Sequence, residues 1–63
     1  MTDQMVQDQI EKAVHFSKVL NRCYLLSNGC ELTTAVSRPA AAELEAAGYW
    51  IAAIFENGFR VDA

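Results

Sequence analysis

The stretch WIAAIFENGFRVD, residues 50–62, decides the fold of this chain. Branched and aromatic residues, which favour strands, stand on both sides of Asn57-Gly58. Asn-Gly is the preferred pair at the two central positions of a type I′ turn, because both positions need a positive φ. The stretch therefore predicts a β-hairpin with one strand on each side of residues 57–58.

A second Asn-Gly pair, Asn28-Gly29, has a similar frame, with apolar residues before it in 24–27 and alternating residues after it in 30–36. The same turn chemistry predicts a second hairpin there. The pair is also typical of a helix end, where glycine adopts the left-handed conformation, so a longer first helix running to Ser27 is the alternative. The hairpin gives the order αββαββ, and the longer helix gives α-β-α-ββ.

Two segments show helical periodicity. Residues 3–22 place a half-wheel of apolar side chains opposite a polar half, and Thr2 or Asp3 is the expected N-cap. In the second segment Ser37 is the expected N-cap, Pro39 fits the first turn and Gly48 ends the helix. Together with the hairpins this predicts an α+β fold, with both helices packed on one face of an antiparallel sheet.

The chain has 63 residues, 52% hydrophobic, with a net charge of −3. This length predicts one domain spanning residues 1–63, and the composition is too hydrophobic for a disordered chain. A domain of about 60 residues buries only about 60% of its unfolded surface, so a partner or a second copy is expected to add stability.

The alternation of the strands predicts two sheet faces. The face expected to form the core carries Cys23, Leu25, Cys30, Leu32, Val36, Trp50, Ala52, Ile54, Phe59 and Val61. The opposite, outer face is unusually apolar for a solvated one, which favours a docking surface for a protein partner or a second copy. Its expected binding residues are Tyr24, Leu26, Glu31, Tyr49, Ile51, Phe55, Arg60 and Asp62. The same pattern also fits a strand register that is one residue off, or a first helix that covers this side of the sheet.

The sequence contains no pattern typical of a catalytic or metal site. Cys23 and Cys30 are separated by six residues, which is not the spacing of zinc ligands, and His15 is the only histidine. Neighbouring acids such as Glu43 and Glu45 lie on what look like solvated helix faces. We therefore expect no enzyme activity, no metal and no cofactor, and only packing roles for the thiols.

Charge and hydropathy narrow the expected partners. The five basic residues are outnumbered by eight acidic ones, which argues against nucleic acid as a partner. The absence of a long apolar run or a signal-peptide pattern favours a cytoplasmic protein without a membrane span.

These features favour a non-catalytic protein-interaction module, a small acidic inhibitor or regulator. Compact acidic proteins of this size are common among phage and mobile-element accessory proteins, including those that block host defence complexes. The alternatives are a homodimeric structural or small-ligand-binding protein and a nucleic-acid-binding regulator.

Overall fold

The computed structural model describes residues 3–61, and its elements follow the order αββαββ. The two helices are α1 (Asp3–Leu20) and α2 (Arg38–Ala46), and the four strands are β1 (Arg22–Ser27), β2 (Leu32–Ala35), β3 (Trp50–Glu56) and β4 (Phe59–Arg60). The predicted α+β class is therefore confirmed. Thr2 and Asp62, which the sequence analysis singled out, lie outside the described residues.

The four strands form one antiparallel sheet in the order β2-β1-β3-β4. β1 lies in the interior of the sheet and pairs with β2 on one side and β3 on the other. β2 and β4 therefore form the two edges. A surface at the β2 edge and a surface at the β4 edge are therefore separated by the two strands β1 and β3.

The first helix ends well before the Asn28-Gly29 pair. Its last residue is Leu20, and Asn21 follows with a φ of 77°, the left-handed conformation that asparagine tolerates better than most residues. β1 then starts at Arg22. The longer first helix is therefore wrong, and residues 22–27 are a strand.

The β1–β2 connection is a hairpin with a longer loop than a type I′ turn. Ser27 pairs with Leu32, which leaves residues 28–31 in the loop. The side-chain oxygen of Asn28 accepts hydrogen bonds from the amides of Cys30 and Glu31, each at 2.9 Å. Asparagine thus organises this loop through its side chain, as in an Asx turn, rather than by occupying a two-residue turn.

The β3–β4 hairpin matches its prediction. Glu56 pairs with Phe59, so Asn57 and Gly58 are the two loop residues. Both have a positive φ, 51° and 89°, as a type I′ turn requires. The amide of Val61 also donates to the carbonyl of Ile54 at 2.8 Å, which extends the pairing by one residue.

The prediction that both helices cover one face is wrong, because they lie on opposite faces of the sheet. Successive residues of a strand point to opposite faces. α1 packs through Ala13 against Cys23 and Leu25, whereas α2 packs through Ala41 against Tyr24 and Leu26. The sheet is thus covered on both sides and has two apolar clusters.

A β-bulge in β3 changes which residues share a face. Leu25 pairs with Ala53 and Leu26 pairs with Ile51, so Ala52 is the extra residue on β3. Plain alternation would place Phe55 on the face opposite Trp50. Because Ala52 is an extra residue, the side chains of Trp50 and Phe55 both lie on the α1 side. The strand parity used for the sequence prediction is therefore interrupted at Ala52.

The second helix begins and ends as its sequence predicts. The hydroxyl of Ser37 accepts from the amide of Ala40 at 3.3 Å, and Pro39 lies in the first turn. At the other end Gly48 has a φ of 101°, and its amide donates to the carbonyl of Glu45 at 3.1 Å. With only nine residues, α2 leaves part of its sheet face uncovered.

Candidate partner-binding surface

Three of the five large apolar residues of the expected outer face are buried. Tyr24 and Leu26 lie beneath α2, and Phe55 lies beneath α1 with 7% of its surface exposed. An exposed apolar face built from these residues is therefore a wrong prediction. The physical reasons are the second helix, which covers this side of β1, and the bulge, which moves Phe55 to the other side.

Ile51, Tyr49 and Glu31 lie at the margin of the α2 cluster. Ile51 and Tyr49 are half-buried and pack against it, while Glu31 is exposed in the β1–β2 loop. The Tyr49 hydroxyl donates a hydrogen bond to Oε1 of Glu31. This hydrogen bond to a carboxylate raises the pKa of Tyr49 above its ordinary value. The pair ties the start of β3 to the β1–β2 loop.

Arg60 is exposed on the edge strand and contacts the bulge. Its Nη2 donates to the carbonyl of Ala52, the extra residue of β3, at 3.3 Å. A charged donor on a bulge carbonyl helps to satisfy a backbone group at an irregular point of the ladder. Of the seven predicted binding residues within residues 3–61, the structure thus leaves Glu31 and Arg60 exposed.

The exposed large apolar side chains are different residues from those predicted. They are Met5, Val19, Leu20, Val36, Trp50, Phe59 and Val61. Four of these, Val36, Trp50, Phe59 and Val61, belong to the face that the sequence predicted as core. Phe59 is the most exposed of all, at 74%.

Phe59 and Val61 form an apolar surface together with Ile54, and we call these three residues the β4 patch. Residues 59 and 61 are two apart and point to the same side, and residue 61 lies opposite Ile54. The register places the patch on the α2 side of the sheet, where Ile54 is half-buried and Val61 is 45% exposed. α2 packs mainly against β1, β2 and β3.

An ion pair borders the β4 patch. Nη2 of Arg22 lies 2.9 Å from Oε2 of Glu56, and Glu56 is the cross-strand neighbour of Phe59. A hydrogen bond with Tyr24, together with the carboxylate of Glu56, raises the pKa of Arg22 above its ordinary value. An apolar centre with a charged rim is the usual anatomy of a protein interface.

A second surface feature lies at the opposite edge of the sheet. An open cavity of about 390 Å³ separates the first half of α1 from β2 and the loop before it, and we call it the α1–β2 cavity. Its lining residues are Met5, Asp8, Gln9, Cys30, Glu31 and Leu32. The volume is within the range of small-ligand pockets, about 300–1,000 Å³. No motif or spacing in the sequence indicated this cavity.

Trp50 lies beside the β1–β2 loop that forms one wall of this cavity. A Cβ added to Gly29 would meet Cη2 of Trp50 at 3.6 Å, so the indole ring lies close to the loop at that glycine. Ser27 pairs with both Leu32 and Trp50, which puts the two side chains in one row on the α1 side. Trp50 is 52% exposed.

The described residues contain no group of three or more His, Cys, Asp or Glu side chains able to hold a metal ion. Both thiols are free; Cys23 is buried in the α1 cluster and Cys30 is exposed. Burial raises the pKa of the Cys23 thiol, while the charge of Lys12 acts in the opposite direction. A buried thiol with a raised pKa is a poor nucleophile.

Neither helix of residues 3–61 has the length and hydropathy needed to cross a lipid bilayer. Comparisons with protein-family models, curated proteins and solved structures find no match to the chain.

Proposed function

We propose that this chain is a non-catalytic protein-binding module, a small acidic regulator or inhibitor that docks through the β4 patch. The observation that carries the proposal is the position of Phe59, a large aromatic residue on an edge strand with most of its surface in water. Aromatic residues, phenylalanine among them, are enriched in protein interfaces relative to the rest of the surface.

The edge position of β4 adds a second means of recognition. Among the described residues β4 pairs only with β3, so its outer backbone edge faces away from the sheet. An extended segment of a partner can add to such an edge through main-chain hydrogen bonds, while side-chain contacts supply specificity. Phe59 and Val61 are placed to supply those contacts.

The net charge of −3 supports a partner with a basic surface, since complementary charge speeds encounter. We extend the proposal to an inhibitor of a host defence complex, carried by a phage or mobile element, which is a setting where compact acidic proteins of this size are common. The free thiols of Cys23 and Cys30 suit a cytoplasmic site of action.

The test compares two substitutions at apolar, exposed positions. Phe59→Asp places a charge in the β4 patch, and Val19→Asp does the same on α1, where the side chain is 65% exposed. Affinity capture from the native host should recover a common partner with the wild type and Val19→Asp, and lose it with Phe59→Asp. Retention of the partner by Phe59→Asp contradicts the proposal.

A homodimer is the second candidate function, because an edge strand with an apolar face can also pair with a second copy of the chain. Light scattering at tens of micromolar distinguishes the two candidates. A dimer that Phe59→Asp converts to a monomer supports self-association through β4. A monomeric wild type removes this candidate.

A further inference from the structure

The α1–β2 cavity is acidic. Asp8 and Glu31 line it, and none of its lining residues is basic. Lys12 lies one turn after Asp8 on α1, but its Nζ is placed over the ring of Phe16, 5.8 Å from the centroid. The nearest base on the helix therefore contacts an aromatic ring rather than lining the cavity.

Each of the two carboxylates retains an oxygen for a further hydrogen bond. Oδ1 of Asp8 accepts from Nε2 of Gln4 at 2.8 Å, and Oε1 of Glu31 accepts from Tyr49. The second oxygens, Oδ2 of Asp8 and Oε2 of Glu31, have no hydrogen-bond partner or ion pair within residues 3–61. These contacts orient the two carboxylates but leave one oxygen of each able to accept a further hydrogen bond.

Gln9, which lines the cavity with the two carboxylates, has an unusual side chain. Its Oε1 is buried and has no hydrogen-bond donor in the part of the chain that the structure describes. A buried acceptor without a donor is uncommon in folded proteins. Gln9 therefore adds an acceptor without a donor next to the cavity.

The rest of the lining is apolar and suits an aliphatic chain. Met5 is exposed and Leu32 is half-buried, and both line the cavity. Trp50 lies outside the lining, in the same cross-strand row as Leu32 with Ser27 between them. Arginine combines a methylene stem that packs on apolar surface with a guanidinium of five donors that can serve several acceptors. The acidic side chains, the unused hydrogen-bond acceptors and the apolar lining residues of the cavity all suit an arginine side chain.

We propose that the α1–β2 cavity receives the side chain of an arginine from a partner protein. The inference rests on the proposed protein-binding function and deepens it by naming one chemical feature of the partner. The cavity lies at the β2 edge and the β4 patch at the other edge, so the two surfaces can be tested separately. A failure of the peptide test below is therefore distinguishable from a failure of the capture experiment with Phe59→Asp.

The experiment uses a short peptide and needs no identified partner. The ¹⁵N-labelled protein is titrated with Ac-Gly-Arg-Gly-NH2, and the control is the same peptide with citrulline, a neutral side chain of nearly the same shape. We expect saturable shifts in the amides of residues 8–9 and 30–32, at least about fivefold weaker binding of the citrulline peptide, and weaker arginine binding at high salt.

Conservative variants then assign the interaction to the two carboxylates. Asp8→Asn and Glu31→Gln keep the acceptors used by Gln4 and Tyr49 and remove only the charges. Each should weaken binding of the arginine peptide about two- to fivefold. Glu43→Gln on α2, outside the cavity lining, is the matched control and should leave binding unchanged.

Three results would overturn the inference. These are equal binding of the arginine and citrulline peptides, shifts centred away from the cavity lining, and an Asp8→Asn/Glu31→Gln double variant that binds as tightly as Glu43→Gln. The comparison of peptides uses the wild-type protein, so it remains decisive if a variant fails to fold.

Discussion

The amide of Gly58 donates a hydrogen bond of 2.8 Å to the hydroxyl of Ser17, 41 positions earlier in the chain. The same hydroxyl donates to the carbonyl of Val14 at 2.7 Å, and Ser17 has no exposed surface. One small side chain therefore joins the C-terminal part of α1 to the turn of the β3–β4 hairpin. A second link is the amide of Asn57, which donates to the carbonyl of Asn21 at 3.1 Å.

The first prediction concerns Ser17→Ala. The substitution leaves the Gly58 amide without its acceptor, so we expect the free energy of unfolding to fall by about 1–3 kcal/mol. Urea denaturation measures the change. Gln7→Ala, at an exposed position of the same helix, is the control and should change stability by less than about 0.5 kcal/mol. Equal stability of the two variants contradicts a structural role for the link.

The second prediction compares two phenylalanines of one hairpin. Phe55→Asp puts a charge into the α1 cluster and should lower the free energy of unfolding by at least about 3–5 kcal/mol. The total free energy of unfolding of a domain of this length is roughly 3–9 kcal/mol, so this variant is expected to unfold. Phe59→Asp changes a side chain that is mostly in water and should keep the fold. Circular dichroism and amide NMR spectra distinguish the two outcomes.

A folded Phe55→Asp variant would mean that the bulge does not bury this side chain. An unfolded Phe59→Asp variant would mean that β4 depends on its aromatic residue for stability. In that second case the capture experiment has to use Phe59→Ser in place of the charged variant.

The third prediction concerns the two thiols. Cys30 is exposed and Cys23 is buried, so a thiol reagent should modify one cysteine per native chain quickly and the second one only after unfolding. Titration with Ellman's reagent, with and without guanidinium, counts both. The Cys30→Ser variant should show no fast-reacting thiol. Fast reaction of that variant would place Cys23 at the surface.

The fourth prediction follows from the raised pKa of Cys23. An unfolded thiol ionises near about pH 8.5, whereas the folded thiol keeps its proton to a higher pH. The unfolded state therefore binds fewer protons above about pH 8.5, and the free energy of unfolding falls as the pH rises toward the folded pKa. Well below that pH both states keep the proton and the effect is absent.

Urea denaturation at about pH 7.5 and about pH 9.5, on either side of the unfolded pKa, tests this dependence in the wild type and in Cys23→Ala. Cys23→Ala is less stable than the wild type at both pH values. Its free energy of unfolding should nevertheless fall less between the two pH values than that of the wild type. The raised pKa of Tyr49 acts in the same direction in both proteins, so the difference between them isolates the thiol. Equal losses contradict the assignment to Cys23.

Turn and cap chemistry made the order of elements predictable from the sequence. Asn57-Gly58 needs two positive φ angles, and Ser37 offers an acceptor just before a proline-led helix, so local residues specify both features. The Asn28-Gly29 pair fits more than one structure, because asparagine can act through its backbone or through its side chain. The structure uses the side chain.

The faces of the sheet were not predictable in the same way. Phe55 and Phe59 are chemically identical, and their burial depends on the bulge at Ala52 and on how far the helices extend. Neither property follows from alternation, because hydrophobic periodicity gives the apolar side of a helix but not the sheet face that it covers. The α1–β2 cavity depends on the approach of α1 to a distant loop, which no local pattern specifies.

The bulge at Ala52 makes the two faces of β3 independent of one residue of strand length. Deletion of Ala52 would leave Trp50 and Phe55 four positions apart, so plain alternation would still put both side chains on the α1 side. Natural forms of this protein should therefore be able to differ in length by one residue at this point of β3 and still keep Trp50 and Phe55 on one face.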